Sequence, residues 1–145
     1  WMHAGMVEYQ GEKMSKSLGN LVLVSDALKA YDADTIRLYL FSHHYRKPWE
    51  YQDDEVDAWA ELSDDLHEAV NFTSYGIDEE VDVSLEEARF RAALDDDLNT
   101  GEAIEALRDI STAILEAAEE DDIRDAQSRL RHLSSILGLT LSDES

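Results

Sequence analysis

At 145 residues and 43% hydrophobic content, the chain can bury one moderate core or parts of two. The absence of cysteine excludes a disulfide framework and any cysteine-based zinc site within it, and no apolar run approaches the ~20 residues of a membrane span. A formal net charge of −22 works against bulk attraction to a phosphate backbone. The charge is uneven: residues 1–50 hold six Lys or Arg and six Asp or Glu, whereas residues 51–145 hold six Arg and 28 Asp or Glu. One reading is a halophilic source, because molar salt shortens the screening length to about 3 Å. The other is an ordinary acidic surface. The first residues lack the basic-then-apolar pattern of a signal peptide, and a cytoplasmic protein is the expectation. The start at Trp1, running straight into apolar–polar alternation, reads as a piece of a longer chain.

Met2 to Tyr9 reads as a short strand before a glycine turn. After a Lys/Ser-rich loop, Leu21–Val24 forms an apolar connector, and Ser25 is placed to cap a short helix from Asp26 to Tyr31. Asp32-Ala33-Asp34 restarts a helix through Phe41, whose Ile36, Leu38, Tyr39, Leu40 and Phe41 leave little polar surface. His43-His44-Tyr45-Arg46-Lys47 before Pro48 reads as a turn; adjacent histidines point about 100° apart on a helix and lack a third ligand nearby in sequence. Asp53 is placed to cap a helix from Asp54 to about Phe72, with Val56, Trp59, Leu62, Leu66 and Val70 as its apolar stripe.

A charged loop to Asp82 precedes a helix opened by Ser84, with Glu87 completing a capping box and Leu85, Ala88, Ala92 and Phe90 as candidates for its inner face. Asp95-Asp96-Asp97 ends it; the triplet reads as a helix end and the approach to the next helix start, not as a cation site. Thr100 is placed to cap a long helix with Ile104, Leu107, Ile110 and Leu115 inside. The last helix has Ile123, Ala126, Leu130, Leu133 and Leu137 as its seam and Gly138 as its stop. Residues 53–145 therefore predict an antiparallel bundle of about four helices, and the chain as a whole is mainly α.

The stretch with the most chemical content is Gly11-Glu12-Lys13-Met14-Ser15-Lys16-Ser17-Leu18-Gly19-Asn20. It holds two of the chain's four lysines. Lysine is a compact charge with three donors; serine hydroxyls and backbone N–H groups can complete a cradle for a polyphosphate. A solvated surface turn is the plain alternative.

The string Lys13-Met14-Ser15-Lys16-Ser17 resembles the signature loop of class I aminoacyl-tRNA synthetases at all five positions. With Trp1-Met2-His3, Ser42-His43-His44-Tyr45-Arg46, Tyr51 and Leu94-Asp95-Asp96-Asp97-Leu98-Asn99-Thr100, the chain resembles cysteinyl-tRNA synthetases along most of its length. That resemblance implies the end of a Rossmann-like, nucleotide-binding catalytic domain with the signature loop over residues 1–50. Over residues 51–145 it implies a helical, tRNA-binding bundle on the anticodon-arm side. The implied activity is ATP-dependent activation of cysteine to cysteinyl-adenylate and transfer to tRNA(Cys), with ATP used alongside Mg2+. Lys13 and Lys16 are the implied catalytic residues, and Lys13, Met14, Ser15, Lys16 and Ser17 the implied ATP contacts. The histidine turn would serve packing or a polar contact with tRNA.

The family's upstream His-rich ATP motif and its zinc ligands have no counterpart in the sequence, and no metal ligand is assigned. The chain is expected to be inactive alone and to need a missing amino-terminal catalytic part. Two alternatives stay open: the mycothiol-pathway cysteine ligase, which resembles the chain at His-Tyr-Arg and Trp49-Glu50 and uses a sugar amine as acceptor, and a non-catalytic helical interaction module.

Overall fold

The computed structural model describes residues 1–141. Two strands, β1 (Val7–Tyr9) and β2 (Glu12–Lys13), open the chain. Two short helices follow, α1 (Val24–Ala30) and α2 (Ala33–Phe41), and then β3 (Trp49–Tyr51). A 3-10 turn at Asp53–Glu55 leads into α3 (Val56–Asn71), α4 (Ser84–Asp95), α5 (Thr100–Ala117) and α6 (Arg124–Ile136).

The sheet has the order β2-β1-β3, with β2 antiparallel to β1 and β3 parallel to it. The expected strand from Met2 is shorter than its apolar residues imply, because only residues 7–9 find ladder partners. Trp49–Tyr51 had no strand expectation; three residues after a proline carry no period of their own, and only pairing with β1 makes them extended.

Four helices, α3 to α6, share one core. Leu62 and Leu66 of α3, Phe90 of α4, Ile104, Leu107 and Ile110 of α5, and Leu130 and Leu133 of α6 are all essentially inaccessible. The stripe from Val56 to Val70 and the seam from Ile123 to Leu137 lie inward as their spacing predicts, with Trp59 at the edge. Leu38 of α2 joins this core, while Ile36 and Tyr39 join a second one with Val56, covered by Trp49, Tyr51 and Tyr31. Leu40, on the remaining side of α2, is exposed.

Several local expectations change. Ser25 lies inside α1, whose cap position is Leu23 without a side-chain bond. In the Asp32-Ala33-Asp34 restart it is Asp32 that caps α2, accepting from the Thr35 N–H at 2.7 Å. Asp53 caps nothing; it sits in the 3-10 turn and accepts from the Tyr9 hydroxyl. Thr100 is the first residue of α5, and Asn99 is the cap, accepting from the Glu102 N–H. The capping box at Ser84 and Glu87 does not form: Asp82 accepts from the Ser84 N–H, and Glu87 instead accepts from Arg91 and Arg129.

The inner face of α4 is Phe90 and Ala93; Leu85 is 81% exposed, and Ala88 and Ala92 face solvent. Residues advance by about 100° along a helix, so a face centred on position 90 lies nearly opposite one centred on position 88. The one bulky aromatic, with more apolar area to bury than the alanines, sets the phase. On α5, Ile104, Leu107 and Ile110 are buried as expected, but the fourth bulky buried residue is Ile114, and Leu115 lies at the core's edge.

Two polar arrangements fix α2. Asp34, 3% exposed, accepts from His67 Nε2 at 2.9 Å, from the Thr140 N–H at 3.0 Å and from the Leu141 N–H at 3.1 Å. At the other end, His43 stacks on Trp49 with centroids 3.8 Å apart, and its Nδ1 lies 3.0 Å from the Tyr39 carbonyl, which can only accept. Burial holds the His43 imidazole below its ordinary pKa of 6.5, with bonds to the Tyr39 backbone opposing the shift.

Two outcomes follow. Phe90→Ala should cost about 3–5 kcal/mol in urea unfolding and Leu85→Ala under about 0.5 kcal/mol; the reverse ranking would restore the face implied by spacing. Because the folded state disfavours the imidazolium, the His43 contribution is complete above about pH 6.5 and is lost as pH falls through its lowered value. Denaturation midpoints should therefore drop as pH is taken from about 7.5 to about 5.5, and His43→Phe, which keeps a ring against Trp49, should flatten part of that slope.

Candidate functional site

The signature loop is built from a hairpin. Tyr9 pairs with Glu12, leaving Gln10 and Gly11 as the two turn residues, with φ of 54° and 81°. Two left-handed central residues make the turn type whose twist matches the flanking strands, and glycine at the second position meets it without strain. The Gly11 N–H donates to a Glu50 carboxylate oxygen at 2.7 Å, tying the turn to β3.

Beyond β2 the chain reverses over Met14–Asn20. The Met14 N–H donates to the Val7 carbonyl at 3.1 Å. Asn20 then closes the loop from both sides: its carbonyl oxygen accepts from the Ser15 N–H at 2.9 Å and its amide donates to the Lys13 carbonyl at 3.1 Å. Inside, the Ser15 hydroxyl accepts from the Leu18 N–H at 3.2 Å and lies 3.2 Å from the Ser17 hydroxyl. Gly19, at φ 69°, donates to the Ser15 and Lys16 carbonyls and ends the turn.

Lys13, Lys16 and Ser17 are exposed, Met14 and Ser15 half-buried. Among the described residues neither lysine forms an ion pair, and the N–H groups of Lys16 and Ser17 have no partner. The loop thus gathers two ammonium groups, two hydroxyls and backbone donors on one turn, a donor set suited to an anionic, phosphate-like group. Met14 faces the other way, into an apolar cavity of about 170 Å³ lined also by Val22, Leu23, Tyr39, Trp49 and Tyr51.

The second polar centre is the 43–47 turn. Arg46 Nε lies 3.1 Å from an Asp97 carboxylate oxygen, the Tyr45 hydroxyl donates to Asp97 at 2.6 Å, and His44 Nε2 lies 3.0 Å from the Asp97 carbonyl. The hydroxyl of Tyr45 and the carboxylate of Asp97 hold the Arg46 guanidinium above its usual pKa. Of the aspartate triplet, Asp97 is the one that bonds to the histidine turn; Asp95 ends α4 and Asp96 follows it as the C-cap. The Asp97 contact is not readable from local pattern, because it joins residues 52 apart, and the Asn20 clasp depends on the reversal of the loop itself. The described residues contain no group of three His, Cys, Asp or Glu placed to hold a metal ion, and no helix long and apolar enough to cross a membrane.

Comparison with known proteins matches residues 1–61 to the model of the tRNA synthetases class I (C) catalytic domain and residues 89–142 to that of the DALR domain. The chain is 41% identical over 142 residues to a cysteine–tRNA ligase of Tolumonas auensis, a match covering 96% of the chain and 30% of the relative. It is 40% identical over 141 residues to the cysteine–tRNA ligase of Klebsiella pneumoniae, again over 96% of the chain and 30% of the relative. The chain thus spans about a third of the length of these curated relatives. Among solved structures, the ternary complex LeuRS–tRNA–LeuAMS of Agrobacterium radiobacter K84 superposes with a TM-score of 0.63 over 98% of this chain and 22% of that one; at 22% identity the likeness is one of fold. Taken with the Lys13–Ser17 loop at the end of its hairpin, these matches show a segment similar to the class I (C) synthetase catalytic domain joined to one similar to the DALR domain, in a chain about 40% identical over most of its length to cysteine–tRNA ligases.

Proposed function

We propose that the chain is the loop-and-bundle portion of a cysteine–tRNA ligase, acting with an amino-terminal catalytic part, with cysteine and ATP (as its Mg2+ complex) as substrates and tRNA(Cys) as acceptor. The observation that carries this reading is the Lys13–Ser17 loop itself: both lysines stand exposed and, among the described residues, without ion pairs on a turn closed by Asn20. In the first step, the cysteine carboxylate attacks the α-phosphorus of ATP and pyrophosphate leaves, gaining charge as its bond to that phosphorus breaks. Cations held ready at that position lower the barrier, because they interact more strongly with the developing charge than with the ground state. Lys16, within the loop, and Lys13, at the end of β2, fill that role; Ser15 and Ser17 shape the turn, and Met14 anchors it in the apolar cavity. In the second step the terminal adenosine of tRNA takes the cysteinyl group and AMP leaves.

Residues 1–50 serve the catalytic part and residues 51–145 the tRNA arm, and the DALR match favours tRNA over a sugar amine as acceptor. The zinc that the family resemblance implies is assigned to ligands in the amino-terminal part. A cytoplasmic location accompanies this function.

In the complete enzyme, Lys16→Ala should slow cysteine-dependent pyrophosphate exchange by about 10²-fold while leaving the KM for cysteine little changed; an unaltered exchange rate would remove Lys16 from the chemistry. The acidic 51–145 segment supports a halophilic source. On that reading, circular dichroism should show helix loss as salt is lowered from molar to about 0.1 M, where the screening length grows to about 10 Å, and full helicity at low salt would mark an ordinary acidic protein.

A further inference from the structure

Three consecutive residues of one turn address a single residue of another part of the chain. His44 meets the Asp97 carbonyl, the Tyr45 hydroxyl donates to the Asp97 carboxylate, and Arg46 pairs with the same carboxylate and also donates to the Tyr45 hydroxyl at 2.9 Å. Asp97 reaches them from a left-handed backbone, φ 52°, and Leu98 follows at φ 55°. Left-handed conformations are costly for side chains other than glycine and persist where the surroundings hold them. The Asp97 side chain is 45% exposed, and an exposed ion pair alone adds little stability, so the strain is not explained by the pair's strength. The left-handed pair closes the end of α4, where the Leu98 N–H donates to the Leu94 carbonyl at 3.2 Å and the Asn99 N–H to the Ala93 carbonyl at 3.0 Å, and the same backbone presents both the carbonyl and the carboxylate of Asp97 to the turn.

The turn in turn registers the strand that leads to the signature loop. The Gly5 N–H donates to the Tyr45 carbonyl at 2.6 Å and the Trp49 N–H to the Met6 carbonyl at 3.1 Å. Gly5 lies so close to the Lys47 carbonyl and Pro48 that no Cβ fits there. Two residues on, the Val7 carbonyl receives the Met14 N–H at the base of the loop. On its far side, Asp97 is fixed by the start of α5, where the Thr100 hydroxyl donates to the Phe41 carbonyl at 2.5 Å and Gly101 abuts Ser42. We infer that Asp97 is a positioning residue for the Lys13–Ser17 loop, holding the 43–47 turn against which the strand into that loop is set. Its importance for ligation rests on the function proposed above; the mechanical linkage does not.

The test is residue-resolved amide hydrogen exchange on the 145-residue chain. Asp97→Gly keeps the left-handed backbone and removes the carboxylate, and Tyr45→Phe removes only the hydroxyl. Both should speed exchange of the Gly5 and Met14 amides about tenfold while Leu107 and Ile110 in α5 keep their protection. Unchanged exchange at Gly5 and Met14, or an equal acceleration throughout α5, would overturn the linkage. In the complete enzyme, Asp97→Gly should lower kcat for pyrophosphate exchange several-fold at an unchanged KM for cysteine. A wild-type enzyme without cysteine-dependent exchange would overturn the ligase reading, and the hydrogen-exchange result would still decide the linkage.

Discussion

Leu38 and Tyr39 are neighbours on α2 and are buried in different cores. Leu38 closes the helical bundle; Tyr39, with Ile36 and Val56, closes the smaller core under the sheet. Burial pushes the Tyr39 hydroxyl well above its ordinary pKa, and that hydroxyl donates to Glu55 at 2.8 Å while receiving the Gln52 N–H at 3.0 Å. One helix of nine residues is therefore a wall shared by the part that carries the loop and the part that carries the DALR match. The fold depends on that sharing, since neither core is complete without α2.

The bundle was legible where burial and period agree. Leu62, Leu66 and Val70 on α3, and Ala126, Leu130 and Leu133 on α6, recur at helical spacing and have no competing bulky residue. On α4 the period was ambiguous, because two alanines and a leucine suggested one face while Phe90 demanded another; area decided it. The helix start at Asp32-Ala33-Asp34 was legible, but the cap residues were lost where several polar residues compete, as at Ser84 and at Asn99-Thr100. The five loop residues were readable as a string, but the clasp by Asn20 depends on how the loop folds back on itself, and the strand at Trp49–Tyr51 arises from pairing with distant β1, which local pattern does not encode.

Charge divides the molecule as much as packing does. Exposed carboxylates dominate α3 to α6, and the ion pairs there are solvent-facing, whether within one helix, as at Arg129–Asp125, or between α4 and α5, as at Arg89–Asp109. Lysine does not occur beyond Lys47. Against that background the ammonium groups of Lys13 and Lys16 form a small positive site on a negative body, and an approaching polyanion meets attraction only over a short range when salt screens the rest.

Asp34 gives the sequence an unusual closure. A carboxylate taken from water needs donors, and two of its backbone donors, Thr140 and Leu141, lie 106 and 107 residues away at the last described positions. The helix that both cores share is thus seated by a segment that follows the whole bundle. On a growing chain, α2 reaches its full set of partners only after the bundle has been made, so the loop side and the bundle side mature as one cooperative event and not in the order of their synthesis.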